Sequence, residues 1–196
     1  MIVNDIKLYD GDIIHHRFAY TYFRNRTLPI GNILAFRAPM KVEADGMIDL
    51  EDTLKNDYIY SEDAINFCWE IPGLDAFGAV AWQRLFNTQV ANILSTKYIN
   101  APIEVDGDDL MVHKEHDQHG IIQPTGKCSV SITYTRDGAA LGHTAINVTA
   151  GRQAPAFAFS TNLTDEQCDS FMKDIVDTFY QMNDDMFIAT TKLIIK

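Results

Sequence analysis

Asp106-Gly-Asp-Asp-Leu-Met-Val112, then Gly126-Lys-Cys-Ser-Val-Ser-Ile-Thr-Tyr134 and Ala140-Leu-Gly-His-Thr-Ala-Ile-Asn-Val148, are the segments whose reading decides the fold. Ser129 to Tyr134 alternates polar and apolar side chains, and Leu141 to Val148 is a second strand-like run. Arg136-Asp137-Gly138 supplies the turn between them, so the unit reads as a β-hairpin. Lys127 falls at its open end and His143 on the returning strand.

Upstream, apolar residues recur every three or four positions from Asp75 to Tyr98, at Ala79, Trp82, Phe86, Val90, Ile93 and Leu94. This spacing predicts a long helix with one buried face, opened by Asp75 beside the first unpaired amides. Thr164-Asp-Glu-Gln167 is a capping box for a last helix whose core face is Phe171, Ile175, Val176, Phe179 and Met182. Residues 2 to 9 read as a strand and Ile13 to Arg24 as a short amphipathic helix. A turn at Pro29-Ile-Gly31 precedes a strand from Asn32 to Arg37 that Pro39 closes. Asp45 to Asp63 is acidic and weakly patterned and is expected to mix a short helix with loop, Asn66 to Ile71 is a strand ended by Pro72-Gly73, and a further edge strand is expected near Ala156 to Phe159. Hairpins interrupted by two long helices, without regular βαβ units, predict an α+β fold with a mixed or antiparallel sheet and helices packed mainly on one face.

This order of elements resembles the core of the biotin and lipoate protein ligases. There a helix leads into an Asn-Asp strand, then a lysine strand, then a strand ending in an apolar-Asn-Val run. Here the helix leads into Asp108-Asp109-Leu110, then Lys127-Cys-Ser-Val-Ser, then Ile146-Asn147-Val148. The octanoyl transferases of the same superfamily are similar at His143 and Asn147 and use no ATP. The chain also resembles a small archaeal family, the domain of unknown function 366, at Phe36-Arg37-Ala-Pro-Met40 and Met47-Ile-Asp-Leu-Glu-Asp52. The resemblance implies a ligase-like fold, related to the class II synthetases, that binds a small carboxylate, acyl or nucleotide ligand, with acyl transfer or ligation as the reaction class.

The resemblance implies roles for six residues. Lys127 would stabilise negative charge on the reacting oxygens, and His143 would aid proton transfer. Asp108 and Asp109 stand where the ligases hold their Asn-Asp pair, and strand alternation lets only one of them line a pocket. Asp-Gly-Asp-Asp is also turn chemistry in its own right. Asn147 is a ligand contact, and Arg37 offers a second cation to an anionic group. Arg37 reads equally well as an ion pair with Asp49, Glu51 or Asp52. No glycine- and arginine-rich phosphate loop precedes Asp75, which argues against ATP and for a preactivated acyl donor. A non-catalytic binding or assembly protein that lost this loop is the alternative.

Cys128 adjoins Lys127, but alternation sends it into the core, where it is expected to be inert. His113, His116 and His119 share a spacing that suits zinc. They lie in a charged stretch with no apolar face, so a solvated insert without metal is expected. His15, His16, Trp69 and Glu70 are further candidates to line a pocket.

At 196 residues the chain is expected to form one domain, residues 1 to 196, with a core that needs neither metal nor disulfide. Three scattered cysteines predict a reducing, cytoplasmic setting. No apolar run approaches the length that spans a bilayer, and a net charge of -11 works against phosphate backbones. The expected partner is a small-molecule ligand, with no nucleic acid, membrane or cofactor. A homo-oligomer is left open.

Overall fold

The computed structural model describes residues 1–15, 17–23, 31–116, 122–192 and 194; of residues 114–116 and 122–124 only the backbone is described. Two antiparallel sheets carry the fold. The larger has the order β1-β2-β7-β6, built from β1 (Asn32–Val42), β2 (Ile59–Pro72), β6 (Ser129–Arg136) and β7 (Ala139–Thr149). The smaller has the order β3-β4-β5, from β3 (Ile103–Asp106), β4 (Asp109–His116) and β5 (Ile122–Lys127). The expected α+β architecture with antiparallel sheets is therefore present.

The hairpin forms as the alternation requires. Arg136 pairs with Ala139, leaving Asp137 and Gly138 as a two-residue turn with φ of 50° and 78°. Positive φ at both positions is the turn whose twist matches the flanking strands.

Two helices cover one face of the larger sheet. Helix α3 (Ala76–Ile93) starts where the Asp75 side chain accepts from the Gly78 amide at 2.7 Å, and a π-helical turn (Leu94–Ile99) extends it. Helix α4 (Asp165–Thr191) starts at the capping box, with Thr164 and Gln167 bonded reciprocally at 3.0 and 3.3 Å. Phe86 of α3 and Phe171 of α4 bury edge-to-face against Phe67 of β2, Trp82 of α3 does so against Trp69 of β2, and Phe179 of α4 meets Trp82 and Phe86 edge-to-face. Gly142 of β7 is required here: a Cβ would stand 2.1 Å from the Trp69 ring. No helix among the described residues is long and apolar enough to cross a membrane.

The opposite face is covered by shorter pieces. Residues 2 to 9 form no regular strand; their backbone meets β1 in isolated bridges at Ile2 and Tyr9, and their side chains pack on it. A 3-10 turn (Asp12–His15) and a short α1 (Phe18–Tyr22) replace the single helix expected to run to Arg24, which with His16 lies outside the described residues. The turn expected at Pro29 and Ile30 also falls outside them. Pro39 does not close β1: the strand continues to Val42, because Pro39 sits where the β1-β2 register shifts and no ladder amide is needed. Beyond it come α2 (Leu50–Lys55) and the start of β2 at Ile59, seven residues earlier than the Asn66 expected. The edge strand expected near Ala156 reduces to one bridge, Ala158 to Lys127.

Candidate functional site

Alternation along β7 divides its side chains. Ala140, Ile146 and Val148 enter the helix-side core, while Leu141, His143, Ala145 and Asn147 face the other way. On that second face lies a cavity of about 350 Å³, lined by β6 and β7, the turn before β4, the end of β5, α2 and the loop 155–158. Five of the six expected site residues line it together: Lys127, His143, Asp108, Asp109 and Asn147.

Lys127 does not head a hairpin strand. It ends β5, with Cys128 as the single residue before β6, so it stands where the two sheets join. Its backbone is clamped on both sides: its amide donates to Phe157 O at 2.9 Å and its carbonyl accepts from Phe159 N at 2.8 Å. Its ammonium pairs with Asp109 at 2.6 Å. The expectation that only one of Asp108 and Asp109 could line a pocket fails for a local reason. Asp106 pairs with Asp109, which leaves Gly107 and Asp108 as the turn, so strand alternation does not govern Asp108. Turn and site are the same residues.

A buried polar chain fixes that turn. Asn87 of α3 donates to the Asp108 carbonyl at 3.0 Å and accepts from Thr144 at 2.9 Å; Thr144 meets Ser131 at 3.1 Å, and Gln83 donates to Ser131 at 2.8 Å. Helix α3 thus positions the acidic turn through the sheet.

The Asn147 side chain is buried, its Oδ1 has no hydrogen-bond partner among the described residues, and the residue sits beside Lys127: its backbone N–H donates to Cys128 O at 2.9 Å. A buried acceptor with nothing to accept from costs free energy that a ligand donor could recover.

His143 lies at the other end. Its ring stacks on Tyr9 with centroids 3.7 Å apart. Asn66 uses its amide N–H groups on Ala38 O and Ala64 O, so its Oδ1 accepts from His143 Nε2 at 3.0 Å. Nδ1 is then left as an acceptor. Burial lowers the His143 pKa to about 3, so the ring is neutral near pH 7 and does not exchange protons there. The proton-transfer role expected of it does not fit this environment.

Arg37 stands apart. It is on β1, outside the cavity lining, and its guanidinium binds Asp63 through two nitrogens at 2.6 and 3.0 Å and Asp165 at 2.7 Å. These carboxylates raise its pKa further and tie β1 and β2 to the start of α4. Its partners are not the expected Asp49, Glu51 or Asp52. Those three residues line the cavity instead, together with Asp57. Burial and the neighbouring Asp49 and Asp57 raise the Asp52 pKa, and Lys127 opposes the shift.

Cys128 is buried on the helix side with its thiol pushed up to about 12 by burial, as alternation led us to expect. His113 is not in a solvated insert but on β4, buried and bonded to Glu104 at 2.9 Å; the side chain of His116 and all of His119 lie outside the described residues. Among the described residues no group of three metal-ligating side chains forms. Trp69 points into the helix-side core and Glu70 pairs with Arg17, so neither lines the cavity.

This architecture is that of the biotin and lipoate protein ligases. LipL1 of P. falciparum in complex with lipoate superposes with a TM-score of 0.56 at 12% identity, over 93% of this chain and 60% of that one. A biotin protein ligase from Aquifex aeolicus in complex with biotin and ATP gives 0.55 at 11% identity, over 93% and 70%. A protein of unknown function from Pyrococcus horikoshi superposes more fully, with a TM-score of 0.81 at 21% identity over 100% of this chain and 97% of that one. None of the curated proteins matches the chain. The sequence profile of the DUF366 family, a domain of unknown function, matches residues 1–194, and the chain belongs to that family.

Proposed function

We propose that the cavity binds a small amphiphilic acyl ligand lengthwise along β7. Its apolar part lies against Tyr9, Ile132 and His143, and its carboxyl or acyl oxygen meets Lys127, with Asn147 accepting a hydrogen bond beside it. The observation that carries this reading is the placing of His143 and Asn147 on one face of one strand, four residues or about 13 Å apart, lining one cavity with the lysine at the Asn147 end. The cavity falls within the range of roughly 300 to 1,000 Å³ usual for small-ligand sites. Among the solved structures of similar fold, one is in complex with lipoate and another with biotin and ATP; lipoate and biotin are both carboxylates attached to apolar groups.

ATP is not the activating group in this reading. Six carboxylates line the cavity against one lysine among the described residues, and a triphosphate would be repelled. Acyl transfer from a preactivated donor is the reaction class, with Lys127 stabilising charge on the acyl oxygen. The same acidity and the net charge of -11 support a small-molecule partner over nucleic acid. A second reading, a binder without chemistry, is favoured by one observation: burial pushes the thiols of Cys68, Cys128 and Cys168 up and holds His143 neutral, so none is poised to react near pH 7.

Calorimetric titration with octanoate, lipoate and biotin, followed by pyrophosphate exchange with Mg²⁺, tests the reading. Saturable binding of at least one acid without exchange is expected. Binding of none would overturn the ligand class, and acid-dependent exchange would overturn the preactivated donor.

A further inference from the structure

The mouth of the cavity has a surface that binding a small ligand does not require. Helix α2 buries none of its side chains. Asp49 and Asp52 line the cavity, while Leu50 and Leu54, one turn apart on the opposite side, are 71% and 78% exposed. Across the mouth, Phe157 is 59% exposed, and the Tyr58 hydroxyl donates to Gln153 O at 2.8 Å, linking the α2 side to the loop that carries Phe157. Singly exposed apolar residues are ordinary. Two large ones one turn apart on a single helix face, rimmed by charge, mark an interaction surface.

The charge around them is negative on balance. Glu43, Asp45 and Asp57 border a shallow depression beside α2, and Glu51 lies on the helix itself. The nearby lysines, Lys41 and Lys55, are already paired with Glu43 and Glu51. This pattern selects among occupants. An anionic membrane surface would be repelled. A second copy docked by the same face would set acidic rim against acidic rim. A basic polypeptide meets no such penalty.

We propose that this rim docks a basic amphipathic polypeptide segment. Its apolar side chains lie on Leu50 and Leu54, and its lysine or arginine side chains lie on the flanking carboxylates. Docking there would bring the segment beside the cavity mouth. The inference does not depend on what fills the cavity.

The probe is a synthetic amphipathic helix of about 14 residues with leucine on one face and lysine on the other. Two control peptides replace its leucines by serine or its lysines by glutamate. Binding to the full chain is read by fluorescence anisotropy. The lysine-leucine peptide is expected to bind, more weakly as salt rises. Leu50→Ser with Leu54→Ser should weaken binding about tenfold, and Asp45→Asn with Glu51→Gln should weaken it several-fold at low salt. All four positions are exposed, so melting temperatures should stay nearly unchanged. The proposal is overturned if the lysine-leucine peptide fails to bind, if the serine peptide binds equally, or if the leucine replacements leave binding unchanged. Sedimentation showing a dimer that the leucine replacements break would assign the face to a second copy. Anionic vesicles binding through the same leucines would assign it to a membrane.

Discussion

The two faces of the larger sheet are made from the same strands and differ in what they leave behind. On the helix side, side chains of β2 and β7 interdigitate with α3 and α4 until no room remains, to the point that position 142 admits only glycine against Trp69. On the other side the cover is short pieces, and space remains over His143 and Asn147. A close-packed face gives stability, whereas an incompletely covered face leaves a cavity into which a ligand can bring a partner for Asn147 Oδ1. The difference suggests where function resides, and each prediction below tries to break it.

The largest effect is expected on the packed side. Phe179 is fully buried among Trp82, Phe86 and Tyr180. Phe179→Ala should cost about 3 to 5 kcal/mol in urea unfolding. Ile132→Ala, half-buried on the cavity side, should cost about 1 kcal/mol. Similar losses at the two sites would erase the contrast between the faces.

Next comes the pH dependence that the cavity side builds in. The unfolded chain carries an ordinary imidazole of pKa about 6.5, whereas burial holds folded His143 near 3. Below pH 6.5 the unfolded state therefore binds more protons, and stability falls as pH drops toward 3. Near pH 5 wild type should have lost on the order of 2 kcal/mol more than His143→Gln, relative to pH 7. Parallel stability curves for the two proteins would contradict the buried neutral ring.

A smaller effect separates the two cations that the sequence offered as anion partners. Arg37→Met breaks the partly exposed pairs with Asp63 and Asp165. It should cost about 1 kcal/mol of stability while leaving ligand affinity unchanged. A clear loss of affinity would return Arg37 to the site.

What the sequence made legible follows from periodicity. The hairpin, the caps at Asp75 and Thr164 and the apolar faces of α3 and α4 are local signals, and all formed. His143 and Asn147 share a face because they sit on the hairpin's β7, and Lys127 at the end of β5 and Asp108 and Asp109 at the β3-β4 turn join them in the cavity. The cavity's cover was legible only in part: a short helix was expected between Asp45 and Asp63, and α2 forms there on local caps, but residues 2 to 9 are placed by bridges to the distant β1 rather than by a repeating pattern. Tyr9 was missed for that reason, and Asp52 was missed although the run of acids from Asp45 to Asp63 was a signal that something there tolerates crowded charge. Arg37 misled because a strand-end arginine carries no mark of whether its partner is a ligand or, as here, Asp165 more than a hundred residues away.

The measurement that bears most directly on the account takes Lys127→Ala through two readouts, thermal melting and calorimetric titration with whichever of octanoate, lipoate and biotin the wild type binds. Lys127 is partly exposed, and its ion pair among the described residues is with Asp109 at the cavity. The account therefore predicts a melting temperature nearly unchanged, within about 0.5 kcal/mol of stability, and affinity weaker by about tenfold or more. A drop of several degrees with affinity intact would show that Lys127 supports the fold and that the cavity does not recognise its ligand through it.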